Sequence, residues 1–386
     1  MIPPLDLVGS AVIAATVSFS VSVVIVLTQR WHGKYSLDND LSGIQKFHKR
    51  VVPRIGGIAL FVGVFVALMC NVLNESLPMR LLESETLLVL LGASLPALLA
   101  GLAEDFTKRV SISTRLLATF ASALLASWLL GATLPRLDTF GLDSLLAFAP
   151  FAIAVTAVAV AGVANSVNII DGFHGVAGVA VVIMLFGLGA ISLEAGDMYV
   201  VRLVLLGIGT AVGFLLVNYP TGSLFMGDGG AYFLGFWLAE AAVLLVLRNP
   251  AINAWQVLAV CAYPVIETIY SIYRRRVIRK SSPGAPDRLH LHTLIYRRVS
   301  CQYIARSDAH PWIRNAAVAC MVGLLNAVMM LAAVLFGGSA PVALTIVAVD
   351  VLLYTTIYTR LVRGRWCLDP TVVLGLRSAP PVRELP

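Results

Sequence analysis

The sequence predicts an all-α polytopic membrane protein, a bundle of about eleven transmembrane helices whose active-site loops lie on one side of the bilayer. Of its 386 residues, 59% are hydrophobic and only 13% are charged, whereas about a quarter of the residues of a soluble domain carry charge. Apolar runs of roughly the 20 residues needed to cross a bilayer as a helix recur along the chain. Barrel strands would instead show short alternating segments. We therefore treat residues 1–386 as one integral-membrane domain.

The apolar runs are separated by charged or turn-forming segments, which fixes the predicted spans in order. The first run has no basic residue before it and is too long for a signal-peptide core, so we expect it to remain as a span. The predicted spans are 7–27, 55–73, 86–103, 114–133, 149–164, 176–193, 201–217, 231–247, 254–271, 315–337 and 341–359.

Basic residues are distributed very unevenly between the two sets of loops that alternation defines. With the N-terminus outside, one side holds 28–54, 104–115, 165–175, 218–230, 272–314 and the tail 360–386. Those segments contain 24 of the 28 lysines and arginines. Because cytoplasmic loops are enriched in basic residues, this side is predicted to be cytoplasmic. Basic loops beside anionic headgroups also account for the net charge of +7 without any nucleic-acid partner.

A polar segment at 165–175 stands between two long apolar runs that contain no charge. Asn165, Asn168 and Asp171 recur every three residues, so consecutive members lie within reach of each other on a helical turn. Polar groups at the edge of the membrane are costly and are functional candidates, although a plain glycine-rich connector is the alternative. Amide and carboxylate oxygens are hard ligands that suit Mg²⁺ better than zinc.

Two acidic residues end the third predicted span. Glu104 and Asp105 lie at a helix C-terminus, where the helix dipole disfavours negative charge. We expect a positive partner for them. Lys108 and Arg109 are the local candidates, and a metal or a phosphate-bearing ligand is the alternative.

Asp228 precedes the eighth predicted span within a run of glycines. Its simplest role is that of a helix N-cap. Gly227 and Gly229, however, strip the backbone of side chains, which lets main-chain N–H groups approach an anion. A carboxylate in such a place is expected where a divalent cation lies between it and the anion.

His290 and His292 flank one leucine in a strongly basic loop. A histidine pair in such a loop is most often exposed on the surface, and phosphate binding is the functional alternative. Arg274, Arg275 and Arg276 are expected to contact the headgroups of the inner leaflet rather than a substrate.

Five segments, taken together and in this order, resemble the polyprenyl-phosphate N-acetylhexosamine-1-phosphate transferases of the MraY/WecA type, in glycosyltransferase family 4. The segments are residues 48–57 (HKRVVPRIGG), 101–105 (GLAED), 165–172 (NSVNIIDG), 225–230 (FMGDGG) and 290–292 (HLH). The resemblance implies transfer of a sugar 1-phosphate from a UDP-N-acetylhexosamine to undecaprenyl phosphate at the cytoplasmic face of a bacterial inner membrane, with release of UMP.

The resemblance also implies roles for individual residues. Asp228 and Asn168 would bind Mg²⁺, or Mn²⁺ in its place. Glu104, Asp105, Asp171, His290 and His292 would form the catalytic set, with Asp105 orienting or deprotonating the lipid phosphate. The residues implied in substrate binding are Lys49, Asn165, Gly227, Gly229 and Arg288.

Four residues depart from the family pattern. Glu104 replaces an aspartate, Lys108 and His174 stand where many members have acids, and Thr293 ends what is usually a longer histidine run. That last difference favours the group that starts O-antigen, capsule or similar glycans over the peptidoglycan enzyme. A secondary transporter or lipid flippase, and an inactive relative of the transferases, remain as alternatives, and a homodimer is left open.

Overall fold

The computed structural model describes residues 4–37, 51–74, 78–139, 141–282, 287–304 and 311–364, and these form a helical bundle. The helices are α1 (Pro4–Ser36), α2 (Gly56–Asn74), α3 (Pro78–Ala93), α4 (Leu95–Thr107), α5 (Ile112–Leu130), α6 (Leu142–Leu146), α7 (Ala149–Ile170), α8 (Val176–Glu194), α9 (Met198–Asn218), α10 (Gly227–Arg248), α11 (Ala254–Val260), α12 (Ala262–Tyr273), α13 (Leu291–Ile295), α14 (Pro311–Phe336) and α15 (Ala340–Val362). Two π-helical segments, Arg274–Ile278 and Tyr296–Ile304, continue α12 and α13. Within the described residues, β-type pairing is limited to one bridge between Leu37 and Pro53.

The helices bear out the predicted class. Nine of those described are long and apolar enough to cross a membrane, and the count reaches eleven if each of two bent pairs is one span. Each predicted span lies on one of these helices or bent pairs. The protein is therefore an all-α, multi-pass membrane protein.

Proline explains both bends. The pair α3 and α4 bends by 41°, and the pair α11 and α12 bends by 82°. Pro96 and Pro264 lie just after the two breaks and have no N–H to donate to the carbonyl four residues earlier. The second bend turns α12 away from α11, so that its continuation runs toward the segment that carries His290 and His292.

Helix α10 is the centre of the bundle. It packs against α2, α4, α7, α8 and α9, and Tyr232, Phe233 and Trp237 are almost completely enclosed. By contrast, α1 and α15 bury little of their surface, as expected of helices that face lipid. The N-terminus of α10 therefore has neighbouring helices on all sides, and this is where the predicted motifs meet.

Candidate functional site

The site begins with a backbone connection between two of the sequence motifs. The N–H groups of Gly56 and Gly57 donate to the carbonyls of Phe225 and Met226, at 3.0 and 3.1 Å, and Phe225 N–H donates to Pro53 O at 2.8 Å. These bonds join the start of α2 to the segment that leads into α10. Two motifs separated by about 170 residues of sequence thus form one piece of structure.

Glycine allows α2, α4 and α10 to approach backbone to backbone. A Cβ atom on Gly57 would lie 2.5 Å from the backbone nitrogen of Gly230, and one on Gly101 would lie 2.5 Å from the Cα of Gly229. Any side chain at Gly57 or Gly101 would push the helices apart. This contact sets the end of α4 directly against the first turn of α10.

Asp105 uses that contact to bind the N-terminus of α10. Its two carboxylate oxygens accept hydrogen bonds from the N–H groups of Asp228 and Gly229, both at 2.9 Å, which are groups that an α-helix leaves unpaired. Arg54 lies 3.4 Å from the same carboxylate. The positive partner expected for this acid is therefore Arg54 from the preceding motif. Lys108 instead ends α4 in a left-handed conformation, with φ of 54°.

Glu104 points elsewhere. Its Oε2 accepts a hydrogen bond of 2.8 Å from Val110 N–H, which closes the turn between α4 and α5. The two neighbouring acids therefore have different environments: Asp105 binds α10, and Glu104 binds its own loop. Their predicted catalytic roles stay predictions.

Asp228 does not cap α10, since the helix begins at Gly227 and Asp228 lies within its first turn. The helix begins four residues before the predicted span at residue 231, because the glycines, poor helix formers, are held in the helix by packing. The Asp228 carboxylate forms ion pairs with Arg54, at 3.4 Å, and with Arg115 from α5. Arg54 thus contacts Asp105 and Asp228 together.

The polar segment at 165–175 is less of a loop than predicted. Helix α7 continues to Ile170, so Asn165 and Asn168 lie in its last turns, and Asp171 follows as the C-terminal cap. Tyr232 from α10 donates to Asn165 Oδ1 at 3.4 Å. Burial raises the pKa of Asp171 to about 7, and the positive charge of Arg54 opposes this rise. The prediction that consecutive members of this set lie within reach of each other is compatible with this arrangement.

The histidine pair is buried, which corrects the expectation of an exposed loop. His290 and His292 are 7% and 3% exposed, and His292 lies in the short helix α13. Their rings stack with centroids 5.4 Å apart. Burial, with a further contribution from His290, lowers the pKa of His292 to about 3, so its ring is neutral near pH 7. The basic composition of this loop indicated a surface, but the apolar residues Leu291, Leu294 and Ile295 pack it into the core.

His292 also connects this helix to the segment after α7. A Cβ atom on Gly172 would lie 2.4 Å from His292 Nε2. The ring of Phe173 meets the His292 ring edge to face, with centroids 5.7 Å apart. The histidine segment 290–292 therefore contacts the polar segment 165–175.

Arg274 and Arg275 were expected at the lipid headgroups, and this was wrong. Both are buried and form ion pairs with Asp287, which lies 3.2 Å from the Nε of Arg275. Arg274 also donates to Leu289 O at 2.6 Å. Arg276 is exposed, as expected. A carboxylate thirteen residues away decides this burial, and local sequence does not reveal it.

The remaining predicted residues are placed as follows. Arg288 is exposed beside the histidine segment. Gly227 has φ of 71°, and a Cβ there would meet the Arg54 carbonyl oxygen. Gly229 packs against Leu102 as well as donating to Asp105. Lys49 lies outside the described residues.

Sequence reasoning did not single out Arg54, Arg115, Tyr232 or Tyr354, and it noted Glu267 only as a charge near the inner end of the ninth span. Arg54 lies within the segment 48–57 that carries the family resemblance, and this position could have marked it as a candidate site residue. Arg115 lies at the start of a span, a common position for a basic residue, so nothing in the sequence pointed to its role. The two tyrosines look like ordinary residues of helical spans, whereas a charged residue such as Glu267 within a span is itself a signal.

The donor set is compatible with Mg²⁺. Four acids interact here with one another or with the same arginines: Glu104, Asp105, Asp171 and Asp228. The two arginines at the site are Arg54 and Arg115. The site therefore brings four carboxyl groups together with two arginines. In the described part of the chain, no three His, Cys, Asp or Glu side chains are arranged as a metal site. A Mg²⁺ ion that is bound mainly by substrate phosphates and water needs only one or two protein oxygens, which Asp228 and Asn168 can supply.

The fold and these motifs define a class: a multi-pass membrane protein with a polar site at one end of the helical bundle. Residues 87–246 match the model of the family described as glycosyl transferase family 4. That match includes all the site acids and amides, and the histidine pair lies beyond it. This part of the chain is therefore similar to that family, and the relatives of the chain point to the same family.

Three relatives illustrate the similarity. A protein of Bacillus subtilis strain 168, named probable undecaprenyl-phosphate N-acetylglucosaminyl 1-phosphate transferase, is 25% identical over 64% of this chain and 66% of its own length. The undecaprenyl-phosphate alpha-N-acetylglucosaminyl 1-phosphate transferase of Yersinia pestis is 28% identical over 67% of this chain and 69% of its own. The decaprenyl-phosphate N-acetylglucosaminephosphotransferase of Mycolicibacterium smegmatis is 29% identical over 29% and 31%. The chain thus spans about two thirds of the length of the first two.

Proposed function

We propose that this protein transfers an N-acetylhexosamine 1-phosphate from a UDP-sugar to undecaprenyl phosphate and releases UMP. The observation that carries the proposal is the meeting of Arg54, Asp105 and Asp228 at the N-terminus of α10. A helix N-terminus, two arginines and several oxygen donors are the groups that a transferred diphosphate requires. The names of the relatives support the same reaction.

The chain's own residues supply positioning and charge. Arg54 and Arg115 are held close to Asp228 and are available to phosphate oxygens, which are strong acceptors for arginine. The acceptor phosphate has a second pKa near 6, so it is mostly dianionic at neutral pH and needs no strong base. Both oxygens of Asp105 already accept backbone N–H groups. This favours direct attack by the lipid phosphate over a covalent intermediate on Asp105.

Mg²⁺ belongs to this proposal, with Mn²⁺ as a substitute. Asp228 and Asn168 would hold it. When bound, the ion would neutralise the diphosphate charge. The carboxylate and amide oxygens of these residues are hard ligands, which supports a bound divalent cation.

We further propose that the site faces the cytoplasm of a bacterial inner membrane, with the N-terminus outside. The support is the distribution of 24 of 28 basic residues. In a cysteine-free background, Arg279→Cys and Ala195→Cys place exposed cysteines at opposite ends of the bundle. A membrane-impermeant reagent added to intact cells is expected to label residue 195 and spare residue 279. The opposite pattern would reverse the orientation.

The sugar and the pathway form the finer part of the proposal. Thr293, where a longer histidine run is usual, favours an O-antigen, capsule or similar glycan. The deciding measurement is UMP release by the purified protein from a panel of UDP-sugars, with and without undecaprenyl phosphate and with EDTA. Lipid-dependent, EDTA-sensitive release from a UDP-N-acetylhexosamine is expected. If no UDP-sugar yields UMP, the remaining interpretations are an inactive relative of the transferases or a transporter.

A further inference from the structure

Glu267 lies in α12 and is completely buried, yet both of its carboxylate oxygens are used. Its Oε1 is 2.9 Å from His290 Nδ1. Its Oε2 accepts from Leu291 N–H at 3.1 Å and from the hydroxyl of Tyr354, in α15, at 2.9 Å. Three groups from two other parts of the chain therefore converge on one carboxylate.

These contacts fix the protonation pattern of the His290 ring. An ionised carboxylate only accepts hydrogen bonds, so His290 Nδ1 must carry the proton that it donates. A neutral ring then has a bare Nε2. An imidazole free in water favours the other tautomer, with the proton on Nε2. The nitrogen that is bonded to a partner sets the role of the nitrogen that is not.

The neighbours of His290 limit how the ring can move. One face stacks on His292, with ring planes 8° apart. His292 in turn is packed against Gly172 and Phe173. On the other side, Tyr354 also packs near Tyr270, with centroids 5.5 Å apart. Glu267 thus lies between the C-terminal helix α15 and the histidines.

We propose that Glu267, supported by Tyr354, is a positioning residue that holds His290 with its proton on Nδ1 and so leaves Nε2 to meet a substrate phosphate or hydroxyl. The contact with Glu267 is made by Nδ1 and does not involve Nε2. Burying a carboxylate is energetically costly, and an apolar side chain would fill the same space at lower cost. The hydrogen bond to His290 is what an apolar residue could not supply.

The tautomer is tested directly by NMR of the purified full-length protein with ¹⁵N-labelled histidine, recorded at pH 8. The chain has six histidines, and a His290→Gln variant identifies the signal of residue 290. The expected spectrum shows a protonated Nδ1 in the wild type. Glu267→Gln keeps an acceptor oxygen and should largely retain this pattern, whereas Glu267→Ala should move the proton to Nε2. A bare Nδ1 in the wild type would overturn the proposal, even if Glu267→Ala fails to fold.

Turnover gives the second readout, which rests on the proposed transfer reaction. Loss of a residue that orients a functional histidine typically lowers activity by about 10- to 100-fold. We expect that loss in kcat for Glu267→Ala, with little change in KM, a smaller loss for Glu267→Gln and the smallest for Tyr354→Phe. An unchanged kcat in a folded Glu267→Ala protein would also overturn the proposal.

The matched control is Asp197→Asn at the opposite end of the bundle. Asp197 is a buried acid that pairs with Arg248 at 2.8 Å, so its loss should destabilise the protein without changing the His290 tautomer. An equal change of tautomer in this control would show general loosening and count against Glu267. Because the NMR readout needs no reaction, an enzyme that releases no UMP would contradict the proposed function while leaving the tautomer test intact.

Discussion

The carboxylate of Asp105 closes the N-terminus of the helix that carries Asp228. One Asp105 oxygen accepts the N–H of Asp228 itself, at 2.9 Å. The acid at the end of α4 thereby determines where the acid in α10 lies, and Arg54 stands between their side chains. A substitution at either residue should therefore change the position or the contacts of the other.

The first prediction concerns this link. Asp105→Ala leaves two N–H groups at the start of α10 without their acceptor and should lower stability by about 0.5–2 kcal/mol, as the loss of a helix cap does. Asp105→Asn keeps one acceptor oxygen, so its stability should lie between that of the wild type and that of Asp105→Ala. Thermal unfolding in detergent measures the effect. Glu85→Ala, which removes an exposed acid from α3, is the control and should stay within about 0.5 kcal/mol of the wild type. Equal midpoints for Asp105→Ala and the control would contradict the link.

The second prediction concerns the contact between Gly172, in the polar segment 165–175, and His292, in the histidine segment 290–292. Gly172→Ala puts a methyl group 2.4 Å from His292 Nε2, so the histidine must move. We expect turnover to fall by about 10-fold or more, as with other displaced functional side chains. Gly162→Ala in α7 is the control, because nothing lies within 4 Å of a Cβ there. Full activity in Gly172→Ala would show that the position of His292 does not matter.

The spans and the meeting of the motifs were both predictable. A helix that crosses the bilayer needs about 20 consecutive apolar residues, and such a run can be recognised from the local sequence alone. Alternation then assigns Asp105, Asp171, Asp228 and His290 to the same end. The structure brings these segments into contact there.

The pairings within the site were not predictable. Arg54 meets acids 51 and 174 residues away, and no local pattern specifies such partners. Burial was misjudged for His290 and Arg274 for the same reason: a loop with many charges normally faces water, and Glu267 and Asp287 supply the distant partners that let these residues enter the core. Long-range charge pairing therefore limited the sequence-based account.

The third prediction concerns Asp287. Burial alone would raise its pKa, but the positive charge of Arg274, together with that of Arg275 and the hydrogen bond from Leu289 N–H, holds the pKa below its usual value. Asp287→Asn leaves a buried arginine without its charge partner and should cost about 3–5 kcal/mol near pH 7. Arg276→Gln, an exposed neighbour, should change stability by less than about 0.5 kcal/mol.

The same ion pair predicts a pH dependence. A group whose pKa is lowered on folding stabilises the protein above its unfolded pKa, about 3.9 for Asp. That stability is lost as the pH falls through the lower, folded pKa. The difference in unfolding midpoint between the wild type and Asp287→Asn should therefore be largest near neutral pH and shrink below about pH 4. A difference that grows in acid would reject the assignment.

The final prediction concerns Asp228, whose role as a Mg²⁺ ligand is part of the proposed function. Asp228→Asn keeps the size of the side chain and its place in the first turn of α10, but removes the charge. If Arg54 and Arg115 were its only partners, the loss would mainly free two arginines, and binding of a UDP-sugar would tighten or stay unchanged. If Asp228 holds a divalent ion, binding should lose its Mg²⁺ dependence, and turnover should fall by about 100-fold or more. Titrating UDP-sugar binding against Mg²⁺ in the wild type and the variant separates the two cases, with Asp143→Asn at the opposite end of the bundle as the control.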